Sequence, residues 1–157
     1  MIGVEGVLIV DTPDALLAVR RGSSQRVREA VELAARARPG IEKNHASEVR
    51  PWGGFTVLRD EPHYKSKHIY VEAGAQLSYQ SHAKRAENWI VVRGRGEAVV
   101  DGATIPVLAG SSLFIPMGAK HRIRSHGPEA LEFIEVQTGS YFGEDDIVRY
   151  EDDYGRA

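Results

Sequence analysis

From Trp52 onward the chain is chopped into short apolar-rich segments by glycine- and proline-bearing turns, and this cadence constrains the fold more than any other feature. Residues 54–60, 64–73, 76–82, 87–93, 95–101, 103–108, 112–115, 119–125 and 130–138 read as strands. Gly74, Arg93-Gly94, Asp101-Gly102, Ala109-Gly110, Pro116-Met117-Gly118 and His126-Gly127-Pro128 separate most of them. No long helical period lies between them, so βαβ crossovers are excluded. An all-β sandwich or closed barrel is expected.

The first third reads differently. Residues 7–12 and 15–20 form two short strand candidates joined at Pro13-Asp14. A helix is expected from about Ser24, its proposed cap, to Arg38, with Val27, Ala30, Val31 and Ala34 on one stripe before Pro39-Gly40 ends it. The stripe is modest, so the helix is expected to pack on something. Residues 39–50 read as a polar connector. The tail, "YFGEDDIVRYEDDYGRA", has no clean period and is expected to run as a loop and short helix. Two regions follow: a hairpin and helix over 1–48, and the barrel over 49–157.

A chain of 157 residues can bury a real core. It has no cysteine, which excludes disulfides, thiolate nucleophiles and cysteine metal sites, so any metal must sit among nitrogen and oxygen ligands. The net charge of -2 gives no electrostatic case for nucleic acid. No apolar run reaches the roughly 18–20 residues that span a membrane. The opening residues lack a basic stretch and a cleavage site, so a cytoplasmic protein is expected. Residues 17–38 carry six arginines against two acids, and 143–157 six acids against two arginines. These are solvated faces or mutually attracted segments.

Within 76–82, alternation puts Ser78, Gln80 and His82 on one face. Glu87 facing inward carries Trp89 and Val91 with it, and His121 shares a face with Ile123 and Ser125. Two imidazoles, a carboxylate and an amide oxygen can hold one first-row divalent ion. A single polar residue in a barrel is more often a hydrogen-bonded core residue than a ligand. Burying Gln80, His82, Glu87 and His121 together without a partner would cost several kcal/mol. The same alternation turns Lys65 and Lys67 inward, and Glu135 with Gln137, which suggests an anionic, oxygen-rich ligand. Rim solvation or ion pairs to the acidic tail explain the lysines equally well. His45, His63, His68 and His126 lack this support and are read as non-ligands. An isomerase, an oxygenase, a sugar epimerase and a binding module all remain open on these residues.

Gly74 stands six residues before Gln80, Gly94 seven after Glu87, and Gly110, Pro116, Gly118 and His121 give Gly-x5-Pro-x-Gly-x2-His. These segments resemble the two signature motifs of the cupin superfamily, with Gln80 where histidine is usual. The resemblance implies a single cupin barrel (a double-stranded β-helix, or jelly roll) with the N-terminal hairpin and helix attached. "RPWGGFTVL", "YKSKHIYVEAGAQLSYQSHAKRAENWIVVRGRGEAVVDG", "FIPMGAKHRIRSHG" and "LEFIEVQTGSYFGEDDIVRYEDDYGR" carry it further. Over about residues 50–156 they resemble the type II phosphomannose isomerase domain, the C-terminal half of bifunctional mannose-1-phosphate guanylyltransferase/mannose-6-phosphate isomerase. Residues 4–38 resemble the stretch leading into that half.

The resemblance implies interconversion of mannose 6-phosphate and fructose 6-phosphate through an enediol-like species. It implies Gln80, His82, Glu87 and His121 as ligands of zinc, with cobalt, manganese or nickel as substitutes. Glu135 is the candidate base; Arg85 and Lys67 are expected to assist it. Lys65, Lys67, Arg85, Gln137 and Arg149 are candidate substrate contacts, Arg85 and Arg149 resting on the match to "RAE" and "GEDDIVR". No glycine-rich nucleotide loop is present, so guanylyl transfer is not expected. Asn88 and Tyr79 depart from the family's usual histidine and leucine. Alternation turns Asn88 away from Glu87, so metal binding is expected to survive. Competing functions are a non-catalytic sugar-phosphate-binding module and an isomerase of another phosphosugar; a homodimer is the expected assembly.

Overall fold

The structure, a computed structural model, describes residues 3, 5–12, 15–37 and 46–156. It divides into two compact units, Met1–Ala46 and Ser47–Ala157. Pro13-Asp14, the connector up to His45 and the helix end at Arg38 fall outside the described residues.

In the first unit, β1 (Val7–Asp11) and β2 (Leu16–Arg20) pair antiparallel, Val7 opposite Arg20 and Asp11 opposite Leu16. A 3₁₀ turn over Ser24–Arg26 runs into α1 (Val27–Ala37). The expected capping by Ser24 is corrected. Ser23 holds the cap position without a side-chain hydrogen bond, and Ser24 is spent inside the turn. No residue of the helix is buried. Arg26–Glu29 and Arg28–Glu32 ion pairs lie along its exposed side.

The second unit is two antiparallel sheets. β3 (Ser47–Arg50), β4 (Gly53–Glu61), β5 (Tyr64–Val71), β7 (Arg85–Arg93), β10 (Ser112–Ile115) and β12 (Leu131–Gly139) form one, in the order β10-β7-β12-β5-β4-β3. β6 (Tyr79–His82), β8 (Arg95–Val100), β9 (Ala103–Leu108), β11 (His121–Ser125) and β13 (Ile147–Glu151) form the other, in the order β13-β6-β11-β8-β9. This is the all-β architecture expected, with two corrections. Part of the polar connector is strand β3. The tail is a 3₁₀ turn over Glu144–Asp146 followed by β13, which pairs with β6. Both strands are sheet edges rich in charge, and so lack the clean alternation of the interior strands. Among the described residues no helix is long and apolar enough to cross a membrane.

Gly94 shows why the turns need glycine. Its φ of 78° lies in the left-handed region, and a Cβ there would press on the Ala130 carbonyl. Gly118, at φ 82°, makes the turn that delivers His121.

The interior grades from apolar to polar along the strands. On β12 the inward residues run Leu131, Phe133, Glu135, Gln137; on β7, in reverse, Val91, Trp89, Glu87, Arg85; on β5, Val71, Ile69, Lys67. Antiparallel register aligns these series: Leu131 faces Val71, Phe133 faces Ile69, Glu135 faces Lys67, and Gln137 faces Glu87. One end is therefore a hydrophobic core, joined across the sheets by Ala98, Val107 and Ile123. Trp89 and Phe133 are fully buried there, and removal of either ring is expected to cost about 3–5 kcal/mol. The other end is a polar pocket inside the same barrel.

Candidate metal centre

β6, β7 and β11 each contribute one buried ligand candidate to the polar end. His121 lies directly opposite Gln80 across the β11–β6 ladder, and Glu87 lies on the inward face of β7. His82 Nε2 comes to 3.1 Å from Glu87 Oε1, and His121 Nε2 to 3.6 Å from Glu87 Oε2. The coordinating atoms of His82, Glu87 and His121 all lie within 4.8 Å of one another, close enough to share one ion.

The nitrogens are set up for this. His121 Nδ1 donates to the Ala119 carbonyl at 2.9 Å, which fixes the tautomer and leaves Nε2 as a lone-pair donor. That Nε2 and both ring nitrogens of His82 are buried with no hydrogen-bond partner; the His82–Glu87 approach lacks hydrogen-bond alignment. A buried unpaired polar atom costs about 1–3 kcal/mol, which a bound ion would offset. Burial, outweighing the pull of Glu87, holds His121 below the ordinary imidazole pKa, as the neutral ligand form. Burial would raise Glu87, but His82, His121 and Arg85 together outweigh it and keep the carboxylate far below its usual range. The donor set thus fits a divalent metal. Gln80 lines the same pocket, its Oε1 accepting from Ser78 Oγ at 2.8 Å.

Behind the ligands stands a second carboxyl. Trp89 Nε1 donates to Glu87 Oε2 (3.0 Å) and Glu135 Oε2 (3.2 Å), and Gln137 Nε2 donates to Glu87 Oε1 (3.1 Å) and Glu135 Oε1 (2.8 Å). One indole and one amide therefore clamp both carboxyl groups. Burial first, and the charge of Glu87 second, push the Glu135 pKa up to about 8.

The pocket opens to solvent, with Lys67, Arg50, Arg85 and Arg149 among its walls. Arg85 is buried and donates from Nη1 to the Gly143 carbonyl at 2.9 Å, tying β7 to the tail. Arg149 Nε is buried without a partner. Lys65 stands outside these walls and pairs with Asp60 at 2.9 Å, because the β4–β5 hairpin offers it a nearer acid. His68 pairs with Glu132 and His126 with Glu97, both away from the cluster. Asn88 lies opposite Val136 and Phe114, facing away from Glu87. Sequence reasoning missed Arg50 and Glu144, which also line the pocket. The acid-rich "GEDD" was the available signal, but the arginine that it meets lies nearly a hundred residues earlier.

Comparison with known proteins agrees with this geometry. The family model described as "Mannose-6-phosphate isomerase C-terminal" matches residues 38–152. "Mannose-1-phosphate guanylyltransferase" of Klebsiella pneumoniae is 41% identical over 156 residues, 99% of this chain and 33% of that protein. "Xanthan biosynthesis protein XanB" of Xanthomonas campestris pv. campestris is 42% identical over 157 residues, 100% of this chain and 34% of that protein. The chain thus spans about a third of the length of these relatives. Among solved structures, a double-stranded β-helix protein of Klebsiella pneumoniae aligns at TM-score 0.56 and 19% identity, covering 62% of this chain and 84% of its own. An RmlC-like cupin of Shewanella frigidimarina aligns at TM-score 0.55 and 21% identity, covering 66% and 89%. At these identities the structures establish the cupin fold alone.

Proposed function

We propose that this chain, which belongs to the mannose-6-phosphate isomerase C-terminal family, interconverts mannose 6-phosphate and fructose 6-phosphate at a single divalent ion. The observation that carries this reading is the set of unpartnered imidazole nitrogens around Glu87, in the same pocket as a second carboxyl and several cations. His82, Glu87 and His121, with Gln80 as the fourth ligand, would hold the ion. Zinc is the expected metal, and cobalt, manganese or nickel suit the same nitrogen and oxygen donors. When bound, it would polarise the sugar oxygens and stabilise negative charge developing on them.

The remaining work falls to the side chains. Glu135, as the carboxylate, takes the proton from C2 of the open-chain aldose, giving an enediolate with its charge on the C1 oxygen. The proton of the C2 hydroxyl passes to that oxygen, and Glu135 returns its proton to C1 as the C2 oxygen becomes the ketone. A pKa lifted towards neutrality suits a group that must both take and return a proton. Trp89 and Gln137 hold Glu135 in one orientation beside the ligand carboxylate. Lys67 and Arg149 bind the anionic end of the substrate, and Arg85 keeps the tail against the pocket.

The test is conversion of mannose 6-phosphate before chelation, after chelation and after metal is restored. Loss and recovery of turnover is the expected result. Turnover indifferent to complete metal removal would sink the metal-centred mechanism. Stoichiometric metal without turnover of any of several phosphosugars would favour a non-catalytic sugar-phosphate-binding module.

A further inference from the structure

The cationic side of the pocket is already neutralised, and the acid that does it comes from the tail. Glu144 bridges two cations: Oε1 lies 3.3 Å from Lys67 Nζ and Oε2 lies 3.8 Å from Arg50 Nη2. Both cations also rest on the Phe55 ring, Lys67 Nζ at 4.5 Å and Arg50 Cζ at 5.5 Å from its centroid. Lys67 and Arg50 therefore form one preorganised anion seat, and a carboxylate of the same chain sits in it.

The two sides of this contact differ in what separation would do. The Lys67 side chain is 8% exposed, whereas that of Glu144 is 49% exposed. A carboxylate half in water loses little by swinging out. A buried ammonium left without an acid loses far more. The seat can thus exchange one anion for another but cannot simply open.

The tail is built to let the side chain move while the backbone stays. Asp146 accepts from the backbone N–H groups of Ala83 (3.3 Å) and Lys84 (3.1 Å), and Arg85 holds the Gly143 carbonyl. These contacts fix the turn on both sides of Glu144 without using its carboxylate. In the same pocket Arg149 Nε is buried and unpartnered, a donor with no acceptor in the closed arrangement. Burial pushes the Glu144 carboxyl up, but Lys67 and Arg50 outweigh it, so the side chain is ionised at neutral pH.

We propose that Glu144 is a displaceable internal counter-anion that keeps the Lys67–Arg50 seat closed to neutral sugars and yields it to a phosphomonoester. This rests on the reading that the pocket takes a phosphosugar, and adds how phosphorylated and unphosphorylated sugars are told apart. A neutral sugar that displaced Glu144 would cost the buried Lys67 its ion-pair partner. A phosphomonoester replaces the lost charge and brings further acceptor oxygens, one of which suits Arg149 Nε. Repulsion from the incoming dianion drives Glu144 outward.

The test is calorimetric titration of the whole chain with inorganic phosphate, comparing wild type, Glu144→Gln, Glu144→Ala and Asp145→Asn. Asp145 is the control, since its removal changes the net charge equally while its carboxylate is engaged by Tyr141 instead of the seat. Both Glu144 variants are expected to bind phosphate about fivefold tighter than wild type, the scale of one half-exposed ion pair. Asp145→Asn should stay within about twofold. Unchanged or weaker phosphate binding in the Glu144 variants would overturn the proposal and make Glu144 a fixed support for Lys67. Equal tightening in Asp145→Asn would overturn it in favour of a general charge effect. Turnover of mannose 6-phosphate on the same samples separates the two readings. Tightening without turnover keeps the counter-anion and sinks the isomerase, whereas turnover without tightening does the reverse.

Discussion

The two ends of the pocket are finished differently. At the metal end, His82 and His121 present buried nitrogens with no partner, around a carboxylate clamped by Trp89 and Gln137. At the cationic end, Lys67, Arg50 and Arg85 already have acids or carbonyls, and every one of those contacts except the Glu48–Arg50 pair comes from the neighbouring carboxylate Glu87 or from the Gly143–Asp146 segment of the tail. A metal can satisfy the first end without displacing a protein group. A phosphate can enter the second only by taking over a contact the protein makes with itself. Ligand affinity at the metal end is therefore set by preorganisation, and at the cationic end by competition.

The largest effect expected from breaking this comparison is at Glu135, the group between the two ends. Glu135→Gln keeps the side chain's size but removes the proposed base and, since an amide nitrogen cannot accept, one clamp hydrogen bond; kcat for mannose 6-phosphate should fall about 10²–10⁴-fold with metal content unchanged. Steady-state kinetics with metal analysis on the same samples checks this. Loss of metal in that variant would merge the two ends into one structural unit.

Next is the pH dependence of stability in the metal-free chain. Burial and the charge of Glu87 raise the folded pKa of Glu135 to about 8 from an ordinary 4.5, so between those values the unfolded state has released a proton the folded state still holds. Its contribution to stability falls as pH rises through that window, by about 1.4 kcal/mol per pH unit at most. Urea unfolding at pH 5 and pH 8 should show Glu135→Gln gaining on wild type by a few kcal/mol over that range. A constant difference would mean Glu135 is ionised throughout.

The strand cadence, the inward alternation and the His-Glu-His cluster were all readable in the sequence, because each depends on a short period or a turn residue. Gly94 and Gly118 mark their turns by a backbone geometry only glycine takes easily. β3 and β13 were not readable. They are edge strands whose residues, Glu48 and Arg50 in one and Arg149 and Glu151 in the other, look like solvated loop. The Lys67–Glu144 pair is the ion pair to the acidic tail that the inward lysines left open as an alternative. The share of Arg50 in it was hidden, because it joins a connector to a tail through the completed barrel, and no local period encodes such a meeting. Lys65 shows the opposite limit, since alternation turned it inward while the hairpin's own Asp60 captured it.

Smaller effects sharpen the cationic end. Lys67→Ala should raise KM for mannose 6-phosphate about tenfold, with a smaller change in kcat, since the lost contact is made in ground and transition states alike. Smallest is Asp146→Ala. Loss of its acceptance from Ala83 and Lys84 should lower stability by about 1–2 kcal/mol, read as a shift in urea midpoint, while metal stays bound.

The most direct test of a metal centre separable from an anion seat is metal stoichiometry by mass spectrometry of the native protein, in wild type, His121→Ala and Lys67→Ala. One divalent ion per chain in wild type and Lys67→Ala, and none retained by His121→Ala, is the result this account predicts. An ion kept by His121→Ala, or lost from Lys67→Ala, would contradict it.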